Sequence, residues 1–195
     1  FPQAIGLAAI FDEDFHEMVA SVISTEARAK YNGQSAHGDR DIYKGLSMWS
    51  PNINIFRDPR WGRGHETYGE DPYLTSRLGV RFIKGLQGNG KYLKVAACAK
   101  HFAVHSGPEA IRHSFDAVAN PKDMNETYLP AFEAAVKEAK VESVMGAYNR
   151  VNGEPACGSK TLLVDILRNK WQFEGPVTSD CWAIRDFHEH HHGTD

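Results

Sequence analysis

Glu174-Gly-Pro-Val-Thr-Ser-Asp180-Cys-Trp182 is the stretch that decides how the rest of the chain is read. Val177 and its small neighbours carry straight into Ser179-Asp180, and Trp182 and the polar pair Arg185-Asp186 follow. An acid where a buried strand stops has two readings. It caps the next helix, a position that Asp favours. Or it is placed for chemistry, because catalytic groups in a barrel of parallel strands sit at the C-terminal strand ends. This stretch alone leaves both open.

Working outward, the chain alternates between two periodicities. Ala4 to Ile10 is an apolar run of buried-strand length. Asp12 to Tyr31 predicts a helix with Phe15, Met18, Val19, Val22, Ile23 and Ala27 on its apolar face, Asp12 or Asp14 as cap, and Asn32-Gly33 as its end. Leu46 to Phe56 predicts a strand in which Asn52 and Asn54 alternate with Ile53 and Ile55. Asp71-Pro72 opens a second helix carrying Leu74, Leu78, Phe82 and Leu86, closed by Gly88 and Gly90. Leu93 to Ala99 is a third strand running into Lys100-His101. Met124 to Lys140 is a helix, Val141 to Ala147 a strand, and Ser159 to Trp171 a short helix.

Strand and helix in alternation signify a parallel sheet of βαβ units. The connections are unequal. Helix-to-strand links are short, while strand-to-helix links are long and loaded with charge, His and aromatics. A (β/α) barrel shows this asymmetry, because its working face is built from the strand-to-helix loops. An open doubly wound sheet also binds ligands at strand ends, but no Gly-rich phosphate fingerprint follows any strand.

Composition excludes several functions. The 195 residues are 24% charged and 42% apolar with a net charge of −3, ordinary for a globular protein and without the basic excess of a nucleic-acid or anionic-membrane binder. No apolar run approaches membrane-span length. Three widely spaced cysteines, Cys98, Cys157 and Cys181, indicate neither a disulfide framework nor a zinc motif. His188, His190, His191 and His192 could suggest metal, but no Cys or acidic pattern completes a site, and they read as a solvated loop.

The strand ends share a chemistry. Arg57, Asp58, Arg60, Trp61 and Arg63 follow the second strand, Lys100, His101 and Arg112 the third, Tyr148 and Arg150 the fourth, and Asp180 the fifth. Cations, aromatics and one carboxylate on one rim suit an anionic ligand or a sugar, with Trp61 or Trp182 packing on a ring face. A carboxylate nucleophile needs such cations to stay ionised and oriented.

Five ordered motifs then carry a resemblance. They are Trp49-Ser-Pro-Asn-Ile-Asn-Ile-Phe-Arg-Asp-Pro-Arg-Trp-Gly-Arg63, Glu66-Thr-Tyr-Gly-Glu-Asp-Pro-Tyr73, Ala99-Lys-His-Phe-Ala103, Met145-Gly-Ala-Tyr-Asn-Arg-Val-Asn-Gly153 and Ser179-Asp-Cys-Trp182. Together they closely resemble glycoside hydrolase family 3, over essentially the whole chain from Phe1. The family comprises retaining β-glucosidases, β-xylosidases and relatives. The resemblance implies an α/β fold: a (β/α)8 TIM-like barrel, incomplete in this chain at about five strands and four helices. Residues 1–195 would form part of that single catalytic domain. The first strand, the last strands and the usual C-terminal α/β sandwich domain would be absent.

Carried over by motif, Asp180 is implied as the nucleophile that forms a glycosyl-enzyme. Lys100, His101 and Arg63 are implied as ligands of sugar hydroxyls, Tyr148 as a neighbour of the nucleophile, and Arg112 as a further ligand. Trp182 stands one residue after the place where the family often has a tryptophan. Asp58 and Arg60 read as a loop-shaping ion pair. The implied partners are an oligosaccharide or aryl glycoside and the missing C-terminal domain. No cofactor is implied, nor a nucleic-acid or membrane partner. The location stays open, with a periplasmic or secreted protein compatible.

A retaining mechanism needs two carboxyl groups about 5 Å apart, and only Asp180 is identifiable. The general acid/base usually comes from the second domain. An N-acetyl-β-glucosaminidase-like variant would instead keep it in the 105–116 loop, where His105, Glu109, His113 and Asp116 lie but not in that subgroup's Asp-Ser-His order. The other alternative is an inactive or sugar-binding-only fragment.

Overall fold

A computed structural model describes residues 1–191, and His192 of the histidine run lies outside them. In chain order the first elements are α1 (Ala4–Ala8), α2 (Glu13–Ala36), β1 (Ser47–Met48), α3 (Pro72–Gln87) and β2 (Ala96–Phe102). Next come β3 (Asp116–Ala117), α4 (Pro121–Asp123), α5 (Pro130–Lys137), β4 (Ser143–Gly146), β5 (Arg150–Val151) and β6 (Glu154–Pro155). A wide helix of i→i+5 type over Lys160–Lys170, β7 (Val177–Ser179) and α6 (Asp186–Glu189) complete it.

β1, β2, β4 and β7 form one parallel sheet in that order, with Ser47 opposite Ala96, Ala99 opposite Val144, and Gly146 opposite Ser179. This is a curled half of a (β/α) barrel. The expected first strand at Ala4–Ile10 is helix α1, so the barrel sheet has four strands and not five. Its Ala and Leu residues favour helix over sheet, and it lacks the β-branched side chains that a pleated surface selects.

α2 starts where expected, with the Asp12 carboxylate accepting from Phe15 N at 3.0 Å, but runs past Asn32-Gly33 to Ala36. Its buried face is His16, Ala20 and Ser24, while Met18 and Val22 are exposed. The cause is the close approach of α3. A Cβ on Gly85 would lie 2.3 Å from Glu17 O and 2.7 Å from Ala20 Cβ, and Ser24 Oγ donates to Gly85 O at 3.1 Å. Only small side chains fit that contact, so Ala20 and Ser24 face α3, Ile23 and Ala27 pack at the edge of the core, and Met18 and Val22 turn out.

α3 follows its expectation. Asp71 caps Leu74 N at 2.6 Å, Pro72 opens the helix, and Gly88 closes it at φ 73°. The helix expected over Met124–Lys140 starts earlier, capped by Asn120, and Pro130 breaks it: Leu129 N reaches back to Met124 O and α5 restarts beyond. Ser159 is the cap of the following helix and accepts from Leu162 N at 3.0 Å. The core beneath the sheet joins Ile83 and Leu86 of α3, Phe102 of β2, Phe132 of α5 and Trp171, with Phe102 edge-on to Phe132 at 5.1 Å.

A second, small sheet (β3 parallel to β5, β5 antiparallel to β6) has no counterpart in the expected pattern. Its two-residue strands are too short to show periodicity. It ties together the two long loops that follow β2 and β4. No helix among the described residues is long and apolar enough to cross a membrane.

Candidate active site

The segment Asn52–Ile55 enters the site beside β2. Asn52 bridges to Lys100, and Ile53 N donates to Lys100 O at 2.9 Å. Asn52 and Asn54 are as buried as Ile53 and Ile55. Asn54 clamps His101: its Nδ2 donates to His101 O at 2.8 Å, and its Oδ1 accepts from His101 N at 2.8 Å and from Nδ1 at 2.9 Å. The β2–β4 register slips between Ala99 and Phe102, the kind of irregularity that re-aims side chains beside active sites.

This clamp fixes the imidazole's protonation. Asn54 Oδ1 only accepts, so Nδ1 carries the hydrogen. Nε2 is then a lone pair, and Arg63 Nη1, which only donates, lies 3.0 Å from it. Burial first, then His105, Arg63 and Lys100, hold the His101 pKa well below that of a free imidazole. Asp180 Oδ2 stands 3.4 Å from the same Nε2. With His101 neutral, that approach sets two lone pairs side by side and is no ion pair.

Arg63 is aimed by Glu66. Its Nε and Nη2 donate to the Glu66 oxygens at 2.6 and 2.7 Å, a bidentate fork that leaves Nη1 for the site. Asn52 Nδ2 also reaches Glu66, at 3.5 Å. Burial works against both charges. The Arg63 pair nevertheless keeps the Glu66 carboxyl below its ordinary range, and the same pair raises Arg63. Lys100 shares this field: burial and Arg63 lower its pKa, and Glu66 and Asp180 oppose them.

Asp180 ends β7 and is buried, at 7% exposure. Oδ1 accepts from Cys181 N at 2.7 Å. Oδ2 has no hydrogen-bond partner among the described residues. The helix-cap reading fails, since the chain turns through Cys181–Arg185 and α6 begins only at Asp186. A buried carboxylate oxygen left unsatisfied costs about 1–3 kcal/mol or more, which is the mark of a position kept for a ligand.

Tyr148 is buried beside Asp180; burial and then that carboxylate push its pKa up. The Arg112 guanidinium lies over the Tyr148 ring at 5.3 Å and pairs with Glu109 at 3.0 Å. His113 packs on Tyr148 at 4.3 Å, and its Nδ1 meets buried Asp186 at 2.8 Å. The His105 ring packs against that of His101, tilted, with centroids 4.7 Å apart. Its Nδ1–H donates to Asn149 Oδ1 at 2.8 Å, and burial pushes its pKa down to about 4.

The structure therefore brings together Arg63, Lys100, His101, Tyr148 and Asp180, with Arg112 behind Tyr148. Trp182, two residues past Asp180, is 78% exposed. Trp61 offers no free ring face, being buried edge-on against Phe56 and His105. Asp58 and Arg60 form the expected ion pair at 2.7 Å on the rim. The histidine run is not wholly a solvated loop. His191 is buried with Nε2 2.8 Å from His113 O, whereas His188 and His190 are exposed. Among the described residues no cluster of His, Cys, Asp or Glu could hold a metal ion.

Sequence reasoning missed Asn54, Asn52, Glu66, His105 and Asp186. The signal for the asparagines was present: two amides inside an otherwise apolar strand are either solvated on one face or working.

The family model described as "Glycosyl hydrolase family 3 N terminal domain" matches residues 1–195. The chain is 53% identical to a xylan 1,4-beta-xylosidase of Xylanibacter ruminicola over 98% of this chain and 23% of that protein. It is 46% identical to Beta-D-xylosidase 3 of Arabidopsis thaliana over 94% of this chain and 24% of that protein. Among solved structures, the GH3 exo-beta-xylosidase XlnD in complex with a xylobiose aziridine probe superposes with a TM-score of 0.90 at 37% identity, covering 99% of this chain and 25% of that one. A β-glucosidase from Erythrobacter marinus gives 0.85 at 35% identity, covering 100% and 24%. The chain thus spans about a quarter of the length of the relatives it matches.

Proposed function

The chain belongs to glycosyl hydrolase family 3, within its N-terminal domain, and on that premise we propose that it is the nucleophile-bearing part of a longer retaining β-glycosidase, a β-xylosidase in preference to a β-glucosidase. The preference follows the sequence relatives: the one named a xylan 1,4-beta-xylosidase reaches 53% identity and Beta-D-xylosidase 3 46%.

One observation carries the proposal. Asp180 Oδ2 is buried and unpartnered, 3.4 Å from the lone pair of a neutral imidazole and beside a guanidinium held by its own carboxylate. An oxygen so placed is desolvated and not engaged by another group, as an attacking atom must be. It attacks the anomeric carbon and forms a glycosyl ester that water then cleaves, with retention. Arg63, through the Nη1 hydrogen that His101 does not take, and Lys100 donate to ring hydroxyls, while His101 holds the guanidinium in place through its Nε2 lone pair. Tyr148 lies next to the carboxylate and sets the floor of the subsite. No group of the mechanism requires a cofactor.

The acid/base comes from outside the chain on this reading. The carboxylates of the 105–116 loop are engaged elsewhere. Glu109 pairs with Arg112, and Asp116 accepts from Gly153 N at 3.0 Å across the small sheet. His113 is oriented by Asp186, not by an acid of its own loop. That leaves the N-acetyl-β-glucosaminidase-like arrangement without its Asp–His pair.

The test is Asp180→Gly in the intact enzyme with aryl β-xyloside and β-glucoside. Turnover is expected to fall by a factor on the order of 10⁴, and added azide to restore it with release of a glycosyl azide of inverted configuration. Near-normal turnover, or no glycosyl azide, overturns the assignment of Asp180.

A further inference from the structure

Cys157 lies beneath the nucleophile. It sits in the short turn Ala156–Gly158 that leaves the small sheet, and the turn is pinned by Ala156 N donating to Asn149 O at 3.1 Å. The thiol donates to Ala147 O, the first carbonyl past β4, at 3.3 Å. Gly146, the last residue of β4, pairs with Ser179 of β7, the residue before Asp180. A Cβ on Gly146 would lie 2.6 Å from the Cys157 sulfur, so the sulfur rests directly on the last rung of the β4–β7 ladder. On the other side of the turn, a Cβ on Gly158 would meet the Phe187 ring of α6 at 3.0 Å. The turn is wedged between β4, the sheet neighbour of the strand that ends at the nucleophile, and the helix that follows it.

We propose that Cys157 is a positioning residue for Asp180, its thiol tying the end of β4 to the backbone from which the carboxylate springs; this rests on the nucleophile role proposed above. The carboxylate has little else to fix it. Among the described residues Oδ2 has no hydrogen-bond partner, and Oδ1 accepts from the N–H of the next residue, Cys181. The direction of Oδ2 therefore depends on the backbone at 180–181 as well as on the Tyr148 and His101 side chains beside it. Any slackening of the β7 end passes straight to the attacking atom. The thiol itself is unreactive in this place. Burial pushes its pKa up to about 12, and the Asp180 backbone N–H, turned toward the sulfur, only partly offsets this. It acts as a neutral S–H donor and a filler of the space that Gly146 leaves.

The experiment compares Cys157→Ser, Cys157→Val and Cys157→Ala with the wild type in the intact enzyme. Active sites are titrated by covalent trapping with a 2-deoxy-2-fluoro-β-xylosyl fluoride, so that misfolded molecules do not count. Serine keeps the donor, valine keeps the volume without it, and alanine loses both. Val and Ala are expected to lower kcat and the trapping rate per titrated site by about tenfold, with KM changed less than about twofold, because a misplacement of well under an ångström acts on the reacting geometry. Serine is expected to recover most of the rate. Peptide mapping of the trapped enzyme keeps the two claims separate. A label on a residue other than Asp180 sinks the nucleophile assignment. A label on Asp180 with rates per site for Val or Ala within twofold of the wild type sinks the positioning role, as does a rate unaffected by which of the three residues is present. Either of the two truncations decides the matter if the other fails to yield titratable protein.

Discussion

His105 should make this chain unstable in mild acid, and the size of the effect follows from its surroundings. The ring is 3% exposed, tilted against His101, edge-on to Trp61, and held by Asn149. Burial brings its pKa down to about 4, against about 6.5 in an unfolded chain. The sign is that of a base kept neutral. Between those two values the unfolded chain binds a proton that the folded chain refuses, so stability falls as pH falls. From neutral pH to about pH 5 the single residue costs about 2 kcal/mol, and about 3 kcal/mol once pH 4 is reached. His101, depressed further by burial, adds in the same window. The lowered carboxylates, Glu66 among them, lose their contribution only on further acidification through the carboxylate range, so the two effects separate. The assay is urea unfolding at about pH 7.5 and pH 5, for the wild type and for His105→Asn, whose amide can still donate to Asn149. The variant is expected to be less stable at pH 7.5 but to lose about 2 kcal/mol less on acidification. An equal loss in both proteins would refute the neutral, buried histidine.

Two further outcomes follow. Asn54→Leu leaves the N–H, C=O and Nδ1–H of His101 buried without partners, and at about 1–3 kcal/mol each, partly relieved by ring movement, unfolding should become easier by about 3–5 kcal/mol; loss of less than about 1 kcal/mol in urea would mean that the clamp is not formed. The 195-residue chain by itself should not hydrolyse an ordinary β-linked disaccharide, since a positioned general acid is worth about 10²–10⁴-fold and no carboxylate of the 105–116 loop is free to serve; disaccharide turnover at the rate of an intact enzyme would place the acid within these residues.

The barrel class and the meeting of Arg63, Lys100, His101, Tyr148 and Asp180 were legible because each lies in a motif at a strand end, and strand ends in a parallel sheet converge by topology. What escaped was set by contacts between segments far apart in the chain. The inner face of α2 is chosen by Gly85, 61 residues beyond the serine that touches it. The break at Pro130 was visible as a residue but not as an i→i+5 turn. The small sheet joins Asp116–Ala117 to Arg150–Val151, and pairs of that length leave no period to detect. Trp61 and Trp182 share one residue type and opposite fates, one buried and the other exposed, because burial of an aromatic ring depends on what the loop folds over.

The electrostatic state of the site follows from partners and not from proximity. His101 and Asp180 lie close enough to pass for an ion pair, yet every other atom around the imidazole denies it the second proton. Asn54 takes the Nδ1–H, Arg63 presents a donor to Nε2, and burial disfavours the cation. Glu66 then matters at one remove: by engaging Nε and Nη2 of Arg63 it holds Nη1 on the imidazole and offsets the guanidinium charge. An imidazolium would instead donate Nε2–H to Asp180 and occupy the lone pair that must attack. Keeping His101 neutral is therefore what leaves Asp180 free, and the two asparagines and the glutamate, acting through His101 and Arg63, are where that condition is enforced.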